Sequence, residues 1–177
     1  GSIEESLVTW GKRLIDLTHD LVCCYKPNIA FFEQFGPDGL RALQRIVATV
    51  PAEWPVRLDA KRGDIGSTAD AYAKASFEQW GADAVTLSPY LGRDSLTPFL
   101  SDPERGVFLL CKTSNPGSGD LQDLTVLDSG GGLSLYESVA RKAQSWNEYD
   151  NLGLVVGATH PEALQRVRRQ APGLWIL

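Results

Sequence analysis

The chain is 177 residues long, 43% hydrophobic and 22% charged, which is material for one domain with its own core. Its 22 acidic residues against 17 basic ones give a net charge of −5, a balance that argues against a broad nucleic-acid footprint. The three cysteines have neither a metal spacing nor a disulfide framework, no apolar run reaches the ~18 residues of a membrane helix, and no secretory signal opens the chain, so a reduced, cytoplasmic compartment is the simplest reading.

Gly1-Ser2 reads as an expression scar ahead of a single domain over 3–177. Ile3 to His19 follows a helical period, with Leu7, Trp10, Leu14 and Leu17 on one stripe. Leu21–Tyr25 is then a strand, Gly39–Thr49 a helix, Val56–Asp59 a strand, Thr68–Trp80 a helix and Ala84–Ser88 a strand. Leu91–Leu100 is a weaker helix, followed by a strand at Val107–Cys111 and a helix at Ser134–Glu148. Leu152–Gly157 is a strand and Pro161–Gln170 a helix, with Pro161 in its first turn and Thr159 or His160 near its cap. Leu174–Leu177 closes the series as a strand. The strands are short, apolar and not alternating, the pattern of parallel strands buried on both faces. Strand–helix alternation implies a parallel sheet with right-handed crossovers.

A closed barrel and an open doubly wound sheet both fit that alternation. No G-x-G-x-x-G follows a strand, which weakens a dinucleotide reading. Polar groups gather at the carboxyl ends of several strands: Lys26, Asp59 and Lys61, Ser88, Lys112–Ser114 and Thr159. Sites of a (β/α)8 barrel are built at that end, and the barrel is the favoured form. Such a barrel takes eight strands and ~250 residues. About six parallel strands are legible, so a (β/α)8 TIM-type barrel that is incomplete in this chain is expected.

Three segments carry the chemistry. In Arg57–Thr68, Asp59 and Lys61 stand two apart at a strand end and should share a side, with Asp64 in the following loop and Thr68 opening the next helix. An Asp–Lys–Asp alternation holds one cation between two anions, keeping the lysine protonated and fixed in place. At a surface the same pattern would be an ion-pair cluster. In Cys24–Glu33, Lys26 closes an apolar strand before Pro27, either aiming its amine into the barrel mouth or snorkelling to solvent. In Leu110–Gly119, a strand runs into hydroxyls, an amide and glycines, which could bind a heterocycle or phosphate or simply turn the chain. Gly130-Gly-Gly132 reads as a flexible loop rather than a phosphate cradle, and His19 and His160 read as structural.

These residues resemble a known family. Leu58-Asp-Ala-Lys-Arg-Gly-Asp-Ile-Gly-Ser-Thr68 with Tyr25-Lys-Pro-Asn-Ile-Ala-Phe-Phe-Glu33 is similar to orotidine 5′-phosphate decarboxylase, in the bacterial subgroup with a D-A-K-R-G-D-I third strand. Lys112-Thr-Ser-Asn-Pro-Gly117 and Gly153-Leu-Val-Val-Gly-Ala-Thr159 resemble its fifth and sixth strand ends. The resemblance implies decarboxylation of orotidine 5′-monophosphate to uridine 5′-monophosphate in pyrimidine synthesis, without metal or organic cofactor. It also implies a cytoplasmic homodimer with shared sites. Carried over, Lys61 is the proton donor, Asp59 lies beside the substrate carboxylate, and Lys26 joins their network on the ribose side. Asp64 and Thr68 reach the neighbouring subunit's site, Ser114 bonds the pyrimidine ring, and Asn115 and Pro116 belong to the same binding segment. The family's first strand would lie upstream of Ser2, and its phosphate-gripping loop and arginine beyond Leu177. A partial barrel with weak phosphate binding and little turnover is therefore expected. The alternatives are a magnesium-dependent sugar-phosphate aldolase or decarboxylase on the same barrel, or a truncated nucleotide-binding module without turnover.

Overall fold

Helix α1 (Ile3–Thr18) starts where Ser2 Oγ accepts the Glu5 amide at 3.2 Å, a serine cap ahead of two acidic residues. The computed structural model describes residues 1–128 and 131–177. The chain folds as two compact units. The first comprises Gly1–Arg62 and Gly66–Thr86, and the second Gly63–Ile65 and Leu87–Leu177.

In the first unit, α1 is followed by α2 (Ala30–Glu33), α3 (Gly36–Val47), β1 (Arg57–Arg62), α4 (Gly66–Lys74), a π turn (Ala75–Gln79) and β2 (Ala84–Leu87). The face of α1 that packs is Val8, Gly11 and Ile15, one position off the stripe read from the sequence. Gly11 lets α3 approach closely, since a Cβ there would lie 2.7 Å from Ile46 Cδ1. Glu4 pairs with Arg41 at 2.9 Å and Arg45 at 2.7 Å, and Glu5 with Arg45 at 2.6 Å, which fixes the rotation of α1. Trp10, Leu14 and Leu17 are consequently exposed. Leu7, Trp10 and Leu14 line an apolar cavity of about 570 Å³ together with Tyr25, Phe31 and Phe35.

Leu21–Tyr25 is not a strand. The extended pairing lies further on, as two parallel bridges, Tyr25 to Val56 and Asn28 to Asp59. Its hydrogen bonds run Tyr25 N to Pro55 O, Arg57 N to Tyr25 O, Asp59 N to Pro27 O and Ile29 N to Asp59 O. Pro27, which has no N–H, helps to keep the ladder from closing into a regular strand. The helix expected over Thr68–Trp80 begins earlier, at Gly66, so Thr68 sits inside its first turn rather than opening it.

In the second unit, a 3-10 turn (Arg93–Ser95) and α5 (Thr97–Leu100) replace the single helix expected over Leu91–Leu100, which Gly92 and Pro98 interrupt. Then come β3 (Gly106–Lys112), a 3-10 turn (Pro116–Ser118), α6 (Gly119–Gln122), β4 (Thr125–Asp128), β5 (Gly131–Ser134), α7 (Leu135–Trp146), β6 (Leu152–Val156), α8 (Pro161–Gln170) and β7 (Trp175–Ile176). Strands β3 and β6 run parallel, with Val107 opposite Leu152 and a register shift between Leu110 and Lys112. Gly153 accommodates Phe108, whose Cε1 would lie 2.7 Å from a Cβ there. Val107, Leu109, Leu152, Leu154, Val167 and Leu174 are fully buried around this pair. Ser134 and Glu137 cap α7 reciprocally. The antiparallel β4–β5 pair was not read from the sequence, and the Gly130 part of the glycine loop lies outside the described residues. In the parallel sheet, β1 neighbours β2 within the first unit, and β3, β6 and β7 follow one another within the second.

Candidate active site

The carboxyl end of β1 is built around one carboxylate. Asp59 is buried, with its side chain 9% exposed, and its two oxygens take four donors. Oδ1 accepts from Lys61 Nζ at 2.5 Å and from Thr86 Oγ1 at 3.0 Å. Oδ2 accepts from Asn28 Nδ2 at 3.2 Å and Lys26 Nζ at 3.5 Å. The lysines are half-exposed, at 48% and 47%. Burial is the largest single influence on Asp59 and raises its pKa, but the hydrogen bonds from Lys61 and Thr86 and the fields of Lys61 and Lys26 together hold it below the usual aspartate value.

Lys61 meets Asp59 by an unusual route. Its φ is +51°, in the left-handed region where a non-glycine residue costs about 1–3 kcal/mol. Thr86, 2% exposed on β2, holds that backbone: its Oγ1 accepts the Ala60 amide at 2.9 Å and the Lys61 amide at 3.0 Å. Accepting two N–H groups leaves the hydroxyl proton for Asp59, so one side chain fixes both the strained turn and the carboxylate. Arg62 continues the edge, paired with Glu33 at 2.7 Å and 5.3 Å from the Tyr72 ring centroid.

Of the residues singled out from sequence, Asp59, Lys61 and Lys26 are brought together. Thr68 is exposed on α4 and takes no part in this cluster. Asp64 Oδ1 accepts the Ile65 amide at 2.8 Å, within its own loop. Ser114, Asn115 and Pro116 are exposed in the loop after β3, where Thr113 Oγ1 donates to Asn115 Oδ1 at 2.6 Å. A Cβ at Gly157 would lie 2.9 Å from Ser114 Cβ, so a glycine seats that backbone. Sequence reading missed Thr86 and Asn28. Thr86 has a visible signal, a hydroxyl inside the apolar run Ala84–Leu87, two residues before Ser88 at the strand end.

The sequence model of the Orotidine 5'-phosphate decarboxylase / HUMPS family matches residues 9–177. An orotidine 5'-phosphate decarboxylase from Roseiflexus castenholzii is 58% identical over 174 residues, which cover 98% of this chain and 62% of that protein. The chain thus spans less than two thirds of the length of such relatives. The solved structure of Leishmania donovani OMP decarboxylase superposes with a TM-score of 0.94 at 54% identity, covering 99% of this chain and 69% of that one. Leishmania donovani UMP synthase gives 0.93 at 54% identity, covering 99% of this chain and 39% of the other. The fold is therefore α/β of the TIM-barrel class. The chain belongs to the Orotidine 5'-phosphate decarboxylase / HUMPS family.

Proposed function

We propose that this chain carries the decarboxylation chemistry of its family: orotidine 5′-monophosphate loses carbon dioxide to give uridine 5′-monophosphate. The observation that carries the reading is a buried carboxylate held by two ammonium groups, one of them on strained backbone. The C6–carboxylate bond breaks, its electron pair stays on C6, and carbon dioxide leaves. Lys61 Nζ then transfers a proton to C6, and solvent restores the ammonium. No neighbouring group in the pyrimidine takes up the C6 charge, so a preorganised cation is what the transition state requires.

Asp59 beside the substrate carboxylate adds repulsion that departure of carbon dioxide relieves. Two like charges ~4 Å apart cost about 4 kcal/mol at an effective dielectric of 20. Enzymes lower barriers by ~8–23 kcal/mol, so repulsion is the smaller part. The rest falls to Lys61 and to binding energy on remote groups of the nucleotide. Asp64 and Thr68 belong, in this reading, to the site of a neighbouring subunit in a homodimer. Ser114, Asn115 and Pro116 contact the base, and three free thiols fit a reducing cytoplasm. Over 3–177 the chain is one barrel domain, and the reaction uses no metal or organic cofactor.

The magnesium-dependent alternative needs a carboxylate free to ligate. Asp59 already faces two ammonium groups, which oppose a divalent cation there. The test follows the ultraviolet absorbance of orotidine 5′-monophosphate with wild type and Lys61→Ala, each with and without chelator. The expected result is slow turnover that Lys61→Ala abolishes and chelator leaves alone. A loss of only a few-fold in kcat removes Lys61 from the chemistry, and chelator-sensitive turnover favours the metal-dependent reading.

A further inference from the structure

The loop after β3 carries a hydrogen-bond relay whose direction is fixed by chemistry. The Thr113 amide can only donate, and it meets Gln122 at 2.9 Å, so that atom of Gln122 is the carbonyl oxygen Oε1. Gln122 Nε2 therefore points at the other end of the same residue and donates to Thr113 Oγ1 at 2.8 Å. The threonine hydroxyl keeps one proton, and the 2.6 Å separation from Asn115 is the length of an O–H···O bond and too short for N–H···O, so the hydroxyl donates to Asn115 Oδ1. The Asn115 carbonyl is thereby engaged within the loop, and its Nδ2 hydrogens remain as donors. Lys112 anchors the base of the relay. It is 4% exposed, donates to Asp123 Oδ1 at 2.7 Å and Ser118 Oγ at 3.1 Å, and lies 5.7 Å from the Tyr136 ring centroid.

We propose that Gln122 is a positioning residue that sets Asn115, through Thr113, as a hydrogen-bond donor for a carbonyl oxygen of the pyrimidine ring. This rests on the nucleotide reading above and adds to it a residue that touches no substrate. A loop polarised this way favours a base that offers an acceptor, and it does nothing for the ribose phosphate.

Gln122→Glu keeps the shape and the acceptor for the Thr113 amide but has no N–H to donate. The Thr113 hydroxyl then turns to the introduced carboxylate, and the Asn115 amide loses its orientation. Thr113→Val breaks the relay one step later and adds no charge. Calorimetry with uridine 5′-monophosphate and with ribose 5-phosphate reads the ligand side, and the side-chain amide resonances of Asn115 read the relay without ligand. Both variants should bind uridine 5′-monophosphate about tenfold more weakly, the worth of one hydrogen bond, with ribose 5-phosphate unchanged and the Asn115 resonances shifted. Equal losses for both ligands, or unmoved Asn115 resonances in both variants, overturn the inference. Wild type that binds neither ligand overturns the nucleotide reading and the base contact with it, even where the Asn115 resonances shift.

Discussion

Thr86→Val is the sharpest test of how the Lys61 turn is held. The substitution keeps the shape and removes one hydroxyl, which accepts the Ala60 and Lys61 amides at 2.9 and 3.0 Å and donates to Asp59 at 3.0 Å. Two half-buried N–H groups lose their acceptor at up to about 1–3 kcal/mol each, and a bond to a charged carboxylate worth about 1.5–3 kcal/mol goes with them. Partial relaxation of Lys61 out of its left-handed conformation returns about 1–3 kcal/mol. The net expectation is about 3–5 kcal/mol, a large share of the ~5–15 kcal/mol that stabilises a typical protein. Thr86→Ser keeps the hydroxyl and forfeits one methyl group, about 1 kcal/mol. Urea unfolding of the two variants beside wild type gives the numbers from the midpoints, provided the slopes agree. Thr86→Val within about 1 kcal/mol of Thr86→Ser would refute the argument, because the hydroxyl would then be holding nothing that counts.

Three further outcomes are expected. Asp59 titrates below its unfolded value of about 4, so its interactions contribute stability that is complete above that pH and lost as the pH falls through the folded pKa. Asp59→Asn should flatten the acid limb of a stability–pH curve, and an unchanged slope below about pH 4 would contradict the assigned donors. Gly157→Ala places a Cβ 2.9 Å from Ser114 Cβ and 3.0 Å from Ser114 Cα and N, and should cost about 1–3 kcal/mol by thermal unfolding, whereas Gly173→Ala meets only the Gln144 side chain at 3.4 Å and should be mild. Burial pushes the Cys111 thiol up to about 12, with the Glu137 charge adding to it, so a thiol reagent near pH 8 should modify exposed Cys23 and spare Cys111 until urea is added. Equal labelling rates would show that Cys111 is not shielded.

The strand–helix alternation was legible because buried parallel strands leave short apolar runs, and Ala84–Leu87, Gly106–Lys112 and Leu152–Val156 all fall where such runs stand. Features that depend on partners were not. The rotation of α1 is decided by Gly11 against Ile46 and by Glu4 and Glu5 against Arg41 and Arg45, none of which an apolar periodicity weighs. Leu21–Tyr25 has the composition of a strand, but the pairing is set by β1 and begins at Tyr25. The antiparallel β4–β5 pair stayed hidden because Gly131 and Gly132, read alone, look like loop; pairing with Leu127 and Asp128 supplies what their composition lacks.

At the candidate site, Asp59 and Lys61 meet by a geometry other than the one the strand pattern implies. Two residues apart on a strand share a face, and on that rule Asp59 and Lys61 belong together. The structure brings them together through a left-handed lysine, at a place where the strand is ceasing to be a strand. A regular strand would give the Asp59–Lys61 contact without Thr86. The left-handed turn requires an acceptor for the Ala60 and Lys61 amides, and the hydroxyl that meets them has its one proton left for Asp59. The stability return on the exposed half of the Lys61–Asp59 pair is small, since half-exposed ion pairs are worth roughly 0–1 kcal/mol. A turn costing more than the pair returns makes sense if position is what is selected. An ammonium held at a fixed point beside a carboxylate is of use to a reaction whose charge appears there, and of little use to the fold.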